Sequence, residues 1–312
     1  MITLETKHIA LQYAIGIDLG GTYIKSAIVD SHGNVIKNYK TDTYAESGPK
    51  AVIKQIDKSI SMLLSGFNKT ISGIGIGAPG IVTGGIVKFP PNFKGWKEVD
   101  LKSYFNKMFK MEIEVDNDAN CAGLAELQFG HGKKFGNFIF LTLGTGIGGA
   151  IIINREMYRG EQNGAGEFGM MSIKYDGNEC LGGNPGSVEA YIGRNYVLEN
   201  EKKEISKLGK KIDFEDLSGL ASKKNKSARN IFKNYGFYLG IGLTNYFNLM
   251  DVRTAVLGGG ISNAYEHFIK ECNKTIKERS LPTIRNCFRV LRSKINNNAG
   301  VLGAAALIFK KN

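Results

Sequence analysis

Ile15–Thr22 (IGIDLGGT) and Ile139–Gly149 (IFLTLGTGIGG) decide how this chain is read. Each is an apolar run, rich in β-branched residues, that closes on Gly-Gly-Thr or Gly-Thr-Gly. The pattern predicts a strand ending in a tight turn. Such a turn lets backbone N–H groups and a hydroxyl crowd around an anion without interference from a Cβ. A single glycine-rich turn is common. Two of them, more than a hundred residues apart, predict two halves of a protein holding one polyphosphate, with ATP as the expected ligand.

Composition sets the frame around these turns. The 312 residues are enough for one large domain or two smaller ones about a cleft, and 42% hydrophobic with 22% charged residues is ordinary for a soluble globular protein. No apolar run approaches the roughly 20 residues that span a bilayer, so no membrane partner is expected. Met1–Gln12 carries Glu5, Lys7 and His8 and lacks the apolar core of a signal segment. Cys121, Cys180, Cys272 and Cys287 are scattered rather than spaced as a disulfide scaffold. A cytoplasmic protein is the expectation. The net charge of +12 is concentrated in part at Lys202, Lys203, Lys210, Lys211, Lys223, Lys224 and Lys226. With no aromatic interleaving and no zinc-finger spacing, this stretch reads as a solvated helical face, and no nucleic-acid partner is expected.

Outward from the first turn, Tyr13–Val29 reads as strand, turn and strand, and His32-Gly33-Asn34 as a hairpin turn into Val35–Tyr39. Lys50–Leu64 carries apolar residues at helical spacing, including Val52, Ile53, Ile56, Ile60 and Leu63. Ile71–Gly77 is a buried strand ended by Ala78-Pro79-Gly80. Glu112–Val115 is another, running into Asp116-Asn117-Asp118 and a helix over about Ala119–Phe129. Phe138–Leu143 and Gly149–Ile153 flank the second glycine turn, and Met157–Gly186 is loop-rich. A long helix is predicted over Ser227–Met250. A strand follows at Thr254–Leu257, closing on Gly258-Gly259-Gly260, and a small-residue helix at Ala299–Phe309. This alternation predicts an α/β class, divided near Asp116–Asn120, with the terminal helix returning to the first domain: 1–117 plus about 298–312, and 118–297.

Three acidic residues carry candidate chemistry. Asp18 ends a strand just before Gly20-Gly21-Thr22, where a carboxylate can orient Mg²⁺ through water or simply cap a turn. Asp118 sits where a strand gives way to a helix, the edge at which α/β proteins place ligands. It can accept a proton from an attacking hydroxyl or act as a helix N-cap. Capping needs only one of Asn117, Asp118 and Asn120, so the cluster exceeds what the helix requires. Glu167, within Gly164-Ala165-Gly166-Glu167-Phe168-Gly169, can accept hydrogen bonds from sugar hydroxyls or stand as a solvated loop residue.

Taken in order, IGIDLGGTYIK, GIGAPGIV, PPNFKGW, VDNDANCAGLAE, LTLGTGIGGA, NGAGEFG, VEAYIG, VLGGGIS and NNAGVLGAA resemble the ROK family of the actin–hexokinase superfamily, in particular its glucokinase-type sugar kinases. The resemblance runs from about Tyr13 to Leu307. It implies an actin-like ATPase fold: two ribonuclease-H-like α/β domains around a central cleft, often as a homodimer. It implies that Asp18 lies beside the Mg²⁺-bound ATP phosphates, with Gly20, Gly21, Thr22 and Lys25 in the first phosphate turn and Gly144, Thr145 and Gly146 in the second. Gly258 and Gly259 would lie near adenosine. Gly80, Asn92, Asn117, Asp118, Glu167 and Glu189 would contact the sugar, Asp118 as the catalytic base.

The chain also departs from that family. The resembled kinases carry a structural zinc held by a histidine and three cysteines. Here Met170 stands at the histidine position, Cys180 remains, and Gly182 and Ser187 replace the other two cysteines. A closed zinc site needs four N or S ligands, so no structural zinc is expected, and Cys180 is read as a small loop side chain. The missing histidine also removes a sugar contact that the family makes near the anomeric end. Repressor members carry an N-terminal helix-turn-helix, and the dozen residues before the first strand are too few for one. The expectation is an ATP-dependent hexose kinase acting on the glucose 6-hydroxyl, with N-acetylmannosamine, N-acetylglucosamine, fructose or a β-glucoside as other candidate substrates. A sugar-sensing protein without turnover is the reading from another class.

Overall fold

The computed structural model describes residues 11–180, 182–295 and 298–309. Glu5, Lys7, His8 and Leu181 lie outside these. The chain divides into two compact units, Met1–Cys121 with Gly300–Asn312, and Ala122–Ala299.

The first unit is built on β1 (Tyr13–Leu19), β2 (Tyr23–Asp30), β3 (Val35–Asp42), β4 (Ile71–Ala78) and β8 (Glu112–Asn117), in the spatial order β3-β2-β1-β4-β8. β1 and β2 pair antiparallel, while β4 lies parallel to both β1 and β8. The near-continuous apolar run of β1 is buried, as a central strand covered on both faces requires. Helix α1 (Pro49–Leu64) has Pro49 in its first turn and buries Val52, Ile56, Ile60 and Leu63. The side chain of Lys37 donates to the carbonyls of Met62, Leu63 and Ser65 at its C-terminal end. A small sheet of β5 (Ile81–Thr83), β6 (Ile86–Lys88) and β7 (Glu98–Asp100), then helix α2 (Leu101–Phe109), complete the inserted part of this unit. Neither was predicted from the sequence: the strands are only three residues each and carry no long period.

Helix α3 (Asp118–Phe129) begins in the first unit and continues into the second. There β9 (Phe138–Leu143), β10 (Ile147–Ile153), β11 (Glu156–Tyr158), β12 (Thr254–Gly258) and β13 (Arg289–Arg292) form a sheet in the order β11-β10-β9-β12-β13. Strand for strand, this is the arrangement of the first unit: an antiparallel meander of three, then two strands parallel to the first. Both units thus carry the ribonuclease-H-like sheet, and the duplication is one of topology. Helices α4 (Val188–Ile192), α5 (Arg194–Asn200), α6 (Lys202–Ile205) and α7 (Phe214–Ser222) lead to α8 (Lys226–Met250) and α9 (Tyr265–Arg279). On α8, Gly236 and Gly240 face the backbone of α9 so closely that a Cβ would meet the carbonyls of Phe268 and Cys272. The lysines at 202, 203, 210, 211, 223, 224 and 226 are all exposed, and Lys202 pairs with Glu199 at 3.1 Å.

The last helix, α10 (Ala299–Ala306), returns to the first unit. It stops three residues short of the predicted Phe309. Its small side chains lie on the glycines of β1 and β4. A Cβ on Gly16 would overlap the Val301 carbonyl, and one on Gly75 the Ala304 carbonyl. These strand glycines, which weaken a strand taken alone, are therefore the seat of a helix. Among the described residues, no helix is long and apolar enough to cross a membrane.

Candidate functional site

In the first unit, Gly20–Thr22 joins β1 to β2. The Gly20 amide donates to the Tyr23 carbonyl at 3.1 Å, the Thr43 hydroxyl donates to the Gly20 carbonyl at 2.6 Å, and the Thr43 amide donates to the Thr22 carbonyl at 2.9 Å. Thr43 is wholly buried, so the turn is held from behind by a residue the motif does not include. A Cβ on Gly20 would press on the Tyr23 carbonyl at 2.9 Å, whereas one on Gly21 meets nothing within 4 Å. Packing within the first unit does not explain glycine at 21.

Asp18, near the end of β1, stands opposite Lys25 of β2 in the strand register. Burial pushes its carboxyl above the usual aspartate range, and the Lys25 charge offsets part of that rise. The start of α10 comes directly against it: a Cβ on Gly300 would lie 2.6 Å from Asp18 Cγ. Gly300, like Thr43, escaped the reading of the sequence. Its signal is a glycine in a run of small residues, which does not show what it faces.

At the edge of β8 the polar cluster resolves into separate tasks. Asp116, 5% exposed, accepts from the Asn117 amide at 2.8 Å and from Asn120 Nδ2 at 2.9 Å. Asn117 Oδ1 accepts from the amides of Ala119 and Asn120 at 2.8 and 3.3 Å, so Asn117 takes the capping role. Its Nδ2 donates to the Gly80 carbonyl at 3.0 Å. Asp118 is half-buried, with Oδ1 accepting from the Ala119 amide at 2.8 Å. Gly80 (φ +88°) lies so near the Pro90 Cα, 3.0 Å from an added Cβ, that only glycine fits. Asn92 follows two residues after Pro90, exposed and left-handed at φ +66°, a conformation asparagine tolerates better than most residues. Its loop is anchored by buried Phe93 and Trp96, whose indole donates to the Val87 carbonyl at 3.1 Å. The structure thus brings Gly80 to Asn117, next to Asp118, and puts the Pro90 end of the Asn92 loop against Gly80.

In the second unit, Gly144–Gly146 closes the β9–β10 hairpin. The Gly144 amide donates to the Gly146 carbonyl at 3.1 Å, and the Arg194 amide donates to the Gly144 carbonyl at 3.0 Å. Thr145 is exposed, and a Cβ on Gly144 would meet no atom closer than 3.8 Å. Gly146 differs, because a Cβ there would lie 2.9 Å from Glu189 Oε2. That oxygen accepts from the Ile147 amide at 2.8 Å, which ties the helix carrying Glu189 to the hairpin. Glu167 is reached through a glycine contact: a Cβ on Gly166 would lie 2.6 Å from the Gly149 carbonyl of β10. Desolvation, then the nearby Glu189 charge, push the Glu167 carboxyl above the usual glutamate range although its surface is open. The third glycine turn has other reasons for its composition. Gly258 is buried against Phe140, and Gly259 (φ +79°) abuts the Leu143 carbonyl. Gly260 is the one in open space.

The four positions of the family's zinc motif do gather, without making a zinc site. The buried Ser187 hydroxyl donates to Cys180 Sγ at 3.1 Å, and Met170 Sδ fills the space that a Cβ on Gly182 would need. One thiol, one thioether and a hydroxyl do not supply the four N or S ligands that zinc takes. Among the described residues, no three His, Cys, Asp or Glu side chains are grouped so as to hold a metal. Cys180, read from the sequence as a small loop side chain, lies in a loop, is 8% exposed and accepts the Ser187 hydroxyl bond.

Comparison with known proteins gives the chain its family. The ROK family model matches residues 14–311. The xylose repressor of Bacillus spizizenii is 31% identical over 305 residues, covering 96% of this chain and 77% of the repressor. The glucokinase of Thermotoga maritima is 30% identical over 310 residues, covering 95% of this chain and 97% of that enzyme. The solved structure of a ROK family glucokinase from Streptomyces griseus, in complex with glucose and AMPPNP, superposes with a TM-score of 0.81 at 28% identity, covering 95% of this chain and 98% of that one. With the family model matched over nearly its whole length and both sheets in the ribonuclease-H-like order, this chain belongs to the ROK family.

Proposed function

We propose that the protein is an ATP-dependent hexose kinase that transfers the γ-phosphoryl group to the 6-hydroxyl of glucose. The observation that carries the reading is the division of labour at β8 and α3. Asn117 caps the helix and Asp116 holds Asn120, and Asp118 adds a half-buried carboxylate at the start of α3. A carboxylate at the carboxyl edge of a parallel strand is positioned for ligand chemistry. In the proposed reaction the sugar oxygen attacks the γ-phosphorus, the bond to the ADP oxygen breaks, and Asp118 accepts the hydroxyl proton.

Gly21 and Gly144 support the nucleotide part of this reading, since neither glycine has a packing reason within its own unit. Bare backbone with an adjacent threonine, Thr22 or Thr145, suits phosphate oxygens. Asp18 suits a metal held through water: its half-buried carboxylate, pushed up by desolvation, would be stabilised by a cation. Mg²⁺ bound with ATP would neutralise charge developing on the phosphate oxygens. For the sugar, Asn92, Asn117, Glu167 and Glu189 offer amide and carboxylate partners to hydroxyls. Met170 offers only a weak acceptor in place of the resembled histidine, so the end of the sugar it faces is held less firmly.

A panel of hexoses and N-acetylhexosamines with Mg²⁺-ATP, read by ADP release, tests the proposal. Glucose is expected to give the highest kcat/KM. Release of ADP with none of the sugars refutes the kinase reading. Sugar binding without turnover would then favour the sensing role that the similarity to xylose repressors raises.

A further inference from the structure

The loop-rich segment before α4 is tied together by its own hydrogen bonds, which converge on the two acidic residues read above as sugar contacts. Ser187 is completely buried and serves twice. Its hydroxyl donates to Cys180 Sγ at 3.1 Å, and its oxygen accepts from the Ala190 amide at 3.3 Å as the N-cap of α4. Glu189 stands two residues further on. Asn184 Nδ2 donates to the Met170 carbonyl, while its Oδ1 accepts from the Ser172 hydroxyl at 3.1 Å. The Met170 amide in turn donates to the Glu167 carbonyl at 3.1 Å. The Val188 amide donates to the Met171 carbonyl at 2.9 Å, and Ser172 and Ser187 form a β-bridge. One continuous network therefore runs from the Glu167 turn, through Met170, Asn184 and Ser187, to the helix that carries Glu189.

Such a network has a physical task. A Cβ on Gly169, two residues after Glu167, would lie 3.4 Å from Glu189 Oε2, so Glu167 and Glu189 stand on adjoining turns, and two carboxylates left to themselves move apart or take up a proton. α4 is five residues long, too short to be stable alone, so its orientation depends on what caps and flanks it. We propose that Met170, Ser172, Cys180, Asn184 and Ser187 form a metal-independent clasp in which Ser187 and Asn184 are the positioning residues that set Glu189 relative to Glu167. The clasp occupies the place where the resembled kinases use zinc. The functional consequence rests on the reading of Glu167 and Glu189 as sugar contacts, whereas the structural claim does not.

The Ile147 amide reports on the clasp directly, because it donates to Glu189 Oε2 at 2.8 Å. Its hydrogen exchange is followed in the full-length protein for wild type, Ser187→Ala and Asn184→Ala, with Glu189→Ala setting the rate when the bond is lost. A hydrogen bond of ordinary net worth predicts exchange faster by about threefold to tenfold in both clasp variants. Amides of β12, which makes none of these bonds, should stay at their wild-type rates. Asn184→Ala spares the α4 cap, so it keeps the test open should Ser187→Ala fold poorly. In the kinase assay both variants should raise the sugar KM by a similar factor, with kcat within about twofold and the ATP KM unchanged. Unchanged Ile147 exchange in both variants overturns the clasp, even if their melting temperatures fall. So does faster Ile147 exchange in wild type after zinc-selective chelation. Absence of any hexose turnover would refute the kinase reading instead, and Ile147 exchange would still decide the clasp.

Discussion

Asp118→Asn separates chemistry from architecture better than any other single substitution in this protein. The exchange keeps an oxygen at the Oδ1 position, where the Ala119 amide donates at 2.8 Å. It leaves Asn117 as the cap and the Asp116–Asn120 pair intact. The exchange is isosteric, so folding stability should change by less than about 1 kcal/mol, a melting shift below about 4 °C for a chain of this size. What disappears is the ability to take a proton. Loss of a general base costs about 10²–10⁴ in rate, a barrier increase of about 2.7–5.5 kcal/mol. A coupled ADP-release assay should show kcat down by at least that factor, while calorimetry finds ATP and sugar affinities within about threefold of wild type. Asn117→Ala is the control for a structural role. It removes two acceptor bonds at the helix start and the 3.0 Å bond to the Gly80 carbonyl, and should cost about 1–2 kcal/mol of stability. Near wild-type turnover in Asp118→Asn, or a melting loss equal to that of Asn117→Ala, would refute the assignment of Asp118 as base.

Three further outcomes follow from the same geometry. Gly21→Val and Gly144→Val should fold normally, since neither side chain meets a neighbour closer than 3.8 Å at its Cβ, yet weaken ATP binding at least tenfold by calorimetry; unchanged affinity in both removes these two glycines from the nucleotide reading. Gly146→Val is the poorer probe, because its Cβ would strike Glu189 at 2.9 Å. Elemental analysis should find no stoichiometric zinc, and activity should survive a zinc-selective chelator; one zinc per chain, with activity lost on its removal, would contradict the ligand set at Met170, Cys180, Gly182 and Ser187. Asp18, displaced upward by burial, should protonate at a pH above the ordinary aspartate value of about 4, so activity falls on the acid side earlier than for an exposed aspartate. Raising Mg²⁺ should move that break to lower pH, since metal and proton compete for the same carboxylate; a break that ignores Mg²⁺ would separate Asp18 from the metal. The same displacement has a definite sign for stability: with a folded pKa above the unfolded one, the Asp18 contribution is greatest below about pH 4 and declines as pH rises through the folded value.

Much of this protein is local, and local features are legible in a linear chain. Strand runs, helix periods and the glycine turns after Leu19 and Leu143 each depend on neighbours a few residues away, so β1, β2, α1, β4, β9 and α8 were predicted close to their observed bounds. Asp118 stood out as a candidate as well, since a polar cluster between a strand and a helix exceeds what capping requires. The three-residue strands β5–β7 were not, because their pairing is decided by residues across the small sheet rather than by their own period.

Only tertiary structure could sort residues of one type into different tasks. On paper Gly16, Gly21, Gly75, Gly144 and Gly300 are alike. In three dimensions Gly16 and Gly75 admit the backbone of α10, Gly300 admits the Asp18 carboxylate, and Gly21 and Gly144 face open space. Likewise, three polar residues in a row divided into cap, brace and candidate base only once their bonds to Gly80, Ala119 and Asp116 were known. A serine that merely broke a cysteine motif in the sequence became the bond to Cys180 and the cap of α4. Sequence determined the periods and turns because those arise from steric preferences of adjacent residues. The role of each glycine, amide and hydroxyl depended on which distant backbone or side chain lies within about 3 Å, the reach of a hydrogen bond, and that is set only when the sheets and helices pack.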